Sequence, residues 1–364
     1  MLLREGQSRG AKGVHYFAVF SAVWALMVIS IGGLVTSKGV GMAVPDWPTT
    51  YGYNMFFFPF RLWEGGIFHE HLHRLVASGL GLWTLLLAIW VSSVPARRSV
   101  KVLSWIAVVA VLIQGVLGGK RVLLNGVDVV GIPGSIFFGV LHATLAQVFL
   151  SLLCTIAAMT SRVWDQLVAQ VPRTGGGRSW LFGVLAGAVL VQLMVAATMR
   201  HQHAGLAIPD FPLAYGQIIP PTDDAALDLI NQRRVGVVDD APVTAFQIWL
   251  QMGHRGLALL LVALTGLLAF VSASEPRAWK SSVRWVAALV GIQICLGAAT
   301  IWSNKAADIA TAHVAVGATI LASCSVLAAA RAAGERQSKR AFQPCSETPS
   351  LLKTHPEPFE SHLA

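Results

Sequence analysis

Apolar runs of about 20 residues, the length that crosses a hydrocarbon core of roughly 30 Å as an α-helix, recur along the whole chain. They fall near 15–36, 71–94, 102–120, 135–160, 179–199, 246–273, 285–302 and 309–331. Polar, Pro- and Gly-containing stretches separate them, so the pattern predicts an all-α polytopic membrane protein with eight transmembrane helices. The first run follows Arg4, Arg9 and Lys12, as a signal peptide would, but it is too long and lacks a small-residue cleavage site. It is therefore expected to be retained.

Composition agrees with this reading. Of 364 residues, 55% are hydrophobic and 12% charged, with a mean hydropathy of +0.62, which excludes an ordinary soluble domain. The net charge of +9 follows the positive-inside bias and needs no nucleic acid. Placing both termini and the stretches 95–101, 161–178 and 275–284 in the cytoplasm puts 17 of the 27 basic residues there. A bacterial cytoplasmic (inner) membrane is the expected address. Cys154, Cys295, Cys324 and Cys345 have no metal-ligand spacing and no position in an outward loop, so no structural disulfide is expected.

The pattern also repeats. GMAVPDWPTTYG (41–52) returns as GLAIPDFPLAYG (205–216), with seven of twelve positions identical. His73-Arg74 returns as His254-Arg255, VLIQGVLGG (111–119) as VGIQICLGA (290–298), and LHATLA (141–146) more loosely as AHVAVG (312–317). The chain thus divides into two homologous four-helix units in tandem, of one parallel topology. The expected divisions are a cytoplasmic N-terminal segment 1–14, a first unit 15–160, a cytoplasmic linker 161–178, a second unit 179–331, and a polar, disordered tail 332–364. The offset between units grows from 164 (205 − 41) to 181 (254 − 73), so the second outward loop has gained 17 residues. That Asp-rich insert is read as a lid, a docking surface or an inert excursion.

Each unit places one histidine at the outward start of its second helix (His73, His254) and one at the outward start of its fourth (His142, His313). Interhelical hydrogen bonding, zinc and haem iron are the competing explanations. Four polar groups matched pairwise across a repeat favour haem, since facing helices can present imidazoles to opposite faces of one porphyrin. Arg74 and Arg255 are candidate propionate contacts, or snorkel to the headgroups. Three positions before these histidines the units differ: Glu70 stands in the first, Gln251 in the second. Only the first unit offers an ionisable group there, which predicts a reactive first site and a more inert second one. In HEHLHRL (69–75), His69 and His71 have no counterpart in the repeat and are expected to be interfacial. Asp46 and Asp210 are read as turn-forming residues.

GGLVTSKGVG, PDWP, ExxHR, the fourth-helix histidine, the second Pro-Asp motif, QMGHR and the last-helix histidine, in this order over about 15–331, resemble the haem A synthase family. The resemblance implies oxidation of the C8 methyl of haem O to a formyl group by successive hydroxylations, in haem A biosynthesis for cytochrome oxidase. It assigns Glu70 a catalytic role, His73 and His142 to the iron of the substrate haem, and His254 and His313 to a haem b. It implies haem O, haem O synthase (protohaem farnesyltransferase), cytochrome oxidase assembly factors and membrane lipid as partners, with a homo-oligomer also compatible. Haem sites toward the extracytoplasmic side are expected. Many members carry a cysteine pair flanking the outward motif; MAVPDWPTTYG and LAIPDFPLAYG have none. The rival readings are a bis-histidine electron-transfer cytochrome b and, less compatible with polar residues gathered at one edge, a transporter.

Overall fold

A computed structural model describes residues 2–171, 179–234, 236–237 and 241–341, with side chains from 12 to 339. Helices run over Leu2–Ser37 (α1), Gly65–Ser93 (α2), Arg98–Leu123 (α3), Gly134–Met159 (α4), Arg162–Ala169 (α5), Ser179–His201 (α6), Asp224–Arg233 (α7), Ala245–Val271 (α8), Arg277–Trp302 (α9) and Ala307–Ala341 (α10). All but α5 and α7 are long and apolar enough to span a membrane, eight in total, and this is a multi-pass membrane protein. Large side chains such as Leu112, Leu259 and Phe270 lie 65–79% exposed on their outer faces, where lipid rather than water is the matching solvent.

The helix limits follow local chemistry. Proline stands just outside α4 (Pro133) and α9 (Pro276), where a missing N–H and a fixed φ are tolerated. Thr244 and Gln247 form a reciprocal capping box at the start of α8. One sequence expectation changes. The tail was expected to leave the helix near 332, but α10 continues to Ala341; residues 342–364, including Cys345, lie outside the described residues. The continuation has a cause: Arg331 is 1% exposed, paired with Glu275 at 3.0 Å and with Glu335 at 3.5 Å, and lies over the Trp279 ring. Glu335 in turn accepts from the Ser179 N–H and hydroxyl. In the linker, α5 occupies the first half, capped by Ser161.

In the first unit α1 packs on α2 and α4, and α3 on the same two helices; in the second, α6 packs on α8 and α10, and α9 on those two. A seam joins the units, with α10 against both α1 and α4, and α4 against α6. Ala318 and Ala322 of α10 belong to the first unit's core with Leu87, Val91, Leu153 and Ile156. The second core is built on Leu185, Trp279, Val283 and Leu327. Arg200, at the end of α6, donates to the Gly33 carbonyl and the Ser37 hydroxyl at the end of α1, so the two long loops leave from the same face of the molecule.

Those loops share one architecture. Asp46 accepts from Thr49 Oγ1 at 2.5 Å and from the N–H groups of Tyr51 (2.7 Å) and Gly52 (2.9 Å). Asp210 accepts likewise from Tyr215 (2.7 Å) and Gly216 (2.8 Å). Tyr51 and Tyr215 donate back to the carbonyls of Ala43 and Ala207. Both tyrosines and the glycines after them have φ between +50° and +77°, which explains the Tyr-Gly pair that closes each motif. The turn role expected of both aspartates is what the structure displays. Burial of Asp46 works to raise its pKa, but hydrogen bonds from Gly52, Thr49 and Tyr51 outweigh it and hold the carboxyl below its ordinary value. The insert, of which 235 and 238–240 lie outside the described residues, contributes α7. Leu227 and Ile230 of α7 pack on a small core of Ala207, Ile208, Ala214, Val243 and Ile248. It is a folded cover over the second loop.

Candidate functional site

The glutamate, arginines and paired histidines that the sequence singled out lie at the loop face of the bundle. On α2, Glu70 is 4% exposed. Its Oε2 accepts from the Val44 N–H at 2.9 Å and its Oε1 from Arg74 Nη2 at 2.7 Å. On α8, Gln251 is 2% exposed, and its Oε1 accepts from the Ile208 N–H at 2.6 Å. Val44 and Ile208 are equivalent residues of the two loops, so carboxylate and amide perform one anchoring task. The difference between them is charge. The Nε2 amide of Gln251 donates to the carbonyls of Ile208 and Gly205 at 3.2 and 3.3 Å.

Arg74 and Arg255 are engaged by the same loops. Arg74 donates to the carbonyls of Asp46, Thr49 and Val44 at 2.7–3.1 Å, and Arg255 to those of Leu213 and Asp210 at 2.8 and 2.7 Å. Their Nη atoms clamp backbone, which is neither of the roles the sequence suggested. Within HEHLHRL, His69 meets Lys38 Nζ at 3.0 Å near the surface. The expectation for His71 needs correction: it is fully buried, not interfacial, with Nδ1 3.1 Å from the Thr50 hydroxyl and its ring against Phe58 and Trp63. The aromatic run 56–63 folds back over it, a long-range packing that local sequence does not announce.

The histidines come together in pairs. The rings of His254 and His313 have centroids 6.4 Å apart. A metal–imidazole bond of about 2 Å, plus about 1 Å from nitrogen to ring centre, puts two imidazoles on opposite sides of one ion roughly 6 Å apart. The separation is the one a bis-histidine iron needs, and the Nε2 atoms of Gln192 and Gln293 lie 3.3 and 3.5 Å from the Nε2 atoms of His254 and His313. Among the described residues no three His, Cys, Asp or Glu side chains converge as a bare cation would require. In the first unit, the His73 ring lies against Gly32 of α1 and the His142 ring against Gly118 of α3. His142 Nδ1 lies 3.1 Å from the Gln114 carbonyl, an acceptor, which makes Nδ1 the protonated nitrogen and leaves Nε2 with a free lone pair. Gln114 Nε2 also donates to the His142 carbonyl at 2.8 Å. In the second unit, Gln192 Nε2 lies 3.0 Å from the His254 carbonyl and 3.1 Å from its Nδ1.

The rings are seated by missing side chains. A Cβ on Gly118 would stand 3.1 Å from His142 Cε1, and one on the equivalent Gly297 would stand 3.2 Å from His313 Cε1. A Cβ on Gly32 of α1 would come within 2.9 Å of His73 Cε1. The repeated VLIQGVLGG and VGIQICLGA segments are thus the floor of the two α3/α4 and α9/α10 histidine seats. Sequence comparison of the halves found the segments but not this purpose. Arg121, Arg200 and His201, also at this face, were not singled out by the sequence at all. An apolar cleft of about 470 Å³ between α1, α4, α9 and α10, lined by Cys154, Trp285 and Leu327 among others, lies toward the opposite ends of the helices, away from the histidines.

Residues 62–325 match the model of the COX15-CtaA family, described as cytochrome oxidase assembly protein. The chain belongs to this family. The matched span holds Glu70 and all four histidines of the two pairs. Among curated relatives of this assembly family, the heme A synthase of Bacillus licheniformis is 27% identical over 83% of this chain and 90% of its own length. That of Bacillus cereus strain AH187 is 26% identical over 82% and 87%. That of Alkalihalophilus pseudofirmus is 29% identical over 57% and 67%.

Proposed function

We propose that this cytochrome oxidase assembly protein is a haem A synthase, oxidising the C8 methyl of haem O to a formyl group by successive hydroxylations. His73 and His142 would hold the substrate haem in the first unit, and His254 and His313 a haem b in the second, which supplies electron transfer when bound. The observation that carries the reading is the difference at one matched position beside the histidines, Glu70 in the first unit against Gln251 in the second. Two loops, two arginines and two histidine pairs are built alike, and only beside the first pair does a carboxylate replace an amide. Removing two electrons and a proton from the methyl group, the electrons passing to an acceptor outside this chain, builds positive charge on its carbon, and water then adds there with loss of a second proton. A fixed carboxylate nearby stabilises that charge, and Glu70 can also accept the proton that leaves. Arg74 and the Val44 N–H hold both of its oxygens in place, so the anion is oriented before substrate arrives.

Lysine and arginine placement supports both termini in the cytoplasm and the two sites toward the extracytoplasmic side of a bacterial inner membrane. Haem O, delivered by a haem O synthase, is the proposed substrate, and cytochrome oxidase assembly factors are the proposed protein partners. The test is pigment analysis. The purified chain, expressed with a haem O supply, should yield haem A and partly oxidised haem O on extraction, and the Glu70→Gln variant only haem O and haem b. Extraction of haem b alone from the unmodified protein would instead establish a bis-histidine electron-transfer cytochrome.

A further inference from the structure

Gln114, Gly118 and Arg121 occupy positions i, i+4 and i+7 of α3, one stripe on one face. The first two touch His142, so Arg121 stands one turn beyond that ring, toward the loop face. Its guanidinium lies against the backbone of Gly41, where an added Cβ would meet Nη2 at 3.1 Å. Arg200 of α6 reaches the same end of α1, donating to the Gly33 carbonyl and the Ser37 hydroxyl. Among the described residues Arg121 makes no hydrogen bond or ion pair within 4 Å, and its Nε is buried without a partner. Glu70 is the nearby anion, but its oxygens are taken by Arg74 and the Val44 N–H.

Two guanidinium groups beside a paired carboxylate leave an excess of positive charge in an apolar bundle. The carbonyl ends of α3 and α6 offset part of it, since both arginines lie in a last helical turn. The buried, unpartnered Nε nonetheless calls for an acceptor, and the Nη atoms, free of hydrogen bonds among the described residues, are reachable on a half-buried side chain. The second unit supports the same conclusion by contrast. Its matching stripe is Gln293, Gly297 and Thr300, so the arginine has become a neutral residue, whose hydroxyl is satisfied by the Leu296 carbonyl at 2.8 Å.

We infer that Arg121, with Arg200 beside it, is the carboxylate-binding anchor of the first site, gripping a propionate of the porphyrin held by His73 and His142. This rests on the proposed haem site, and it moves the propionate contact from Arg74, which the loop occupies, to a residue one turn from an iron ligand. The anchor fixes which way round the porphyrin enters, and so which edge carries its methyl toward Glu70. Arg121 is a positioning residue in this scheme, and the second unit has no equivalent.

The test compares haem O with its dimethyl ester, in which the propionates are capped, by absorbance titration of the full-length protein in detergent. A His254→Ala/His313→Ala background restricts the reading to the first site. The ester should bind on the order of tenfold more weakly than the free acid. Arg121→Gln should bind both equally, and Arg121→Lys should recover most of the difference. A variant that still discriminates between acid and ester, or an unmodified chain that never does, would overturn the assignment. The ester comparison on the unmodified chain needs no variant, so a misfolded Arg121→Gln does not shelter the idea. His73→Ala separates the two levels of inference: unchanged affinity for haem O there would remove the haem site itself, whereas lost affinity with an indifferent Arg121→Gln would remove only the anchor.

Discussion

Replacing Glu70 by glutamine is a cleaner experiment than such substitutions usually are, because the second unit already contains its outcome. Gln251 holds the Ile208 N–H as Glu70 holds that of Val44, so Glu70→Gln should preserve the loop and haem binding while abolishing methyl oxidation. Glu70→Ala, by contrast, leaves Arg74 without its anion in a buried setting, a loss of about 3–5 kcal/mol, and should lower thermal stability as well. The glycine seats give a second prediction. Gly118→Val puts carbon against His142 and should weaken haem binding at the first site with little effect on the second, whereas Gly297→Val should do the reverse; site-resolved absorbance spectra check both. The histidines and Glu70 were legible in the sequence because a duplication marks what it retains and what it changes. Gly118, Gln114 and Arg121 were not, since a glycine in an apolar helix looks like packing and an arginine at a helix end looks like an interfacial anchor. Only the neighbouring ring gives them their meaning.

Among elements, the two loops were recognisable as turns from Pro-Asp-aromatic-Pro, but not as tethers. Their hold on α2 and α8 runs through arginines that local pattern assigns to the headgroups. Asp46 organises its loop through three hydrogen bonds, and Asp46→Ala should destabilise the loop end by about 1–3 kcal/mol. Its pKa in the folded chain is below the ordinary 3.8, so its contribution is fully present above that value and is lost as pH falls through the folded one. Thermal unfolding of the unmodified protein and of Asp46→Asn between pH 5 and pH 3 should therefore converge toward the acid end. The end of α10 was misjudged for a related reason. Residues 332–341 are polar in composition, but Arg331 and Glu335 find Glu275, Trp279 and Ser179 on other helices. Arg331→Met retains volume and abandons the buried carboxylate of Glu275 and the half-buried one of Glu335, and should lower the thermal unfolding temperature more than any surface change on α5.

At the scale of the molecule, the eight spans could be read directly from the run of apolar residues. What could not be read is how the units meet, because a seam of small residues leaves no periodic signature. Ala318 and Ala322, from the last helix, complete the core of the first unit, and Arg200 of the second unit holds the end of α1. A chain ending at 171 should therefore fail to bind haem at His73 and His142 although it carries both, and co-expression with 179–364 should restore the binding. The seam has a further meaning. Two copies that once matched can be exchanged, trimmed or lost only while each is whole, and here the later copy supplies a wall of the earlier one. Divergence at Glu70 and Arg121 made the copies different; α10 and Arg200 made them inseparable, so the duplication is no longer reversible.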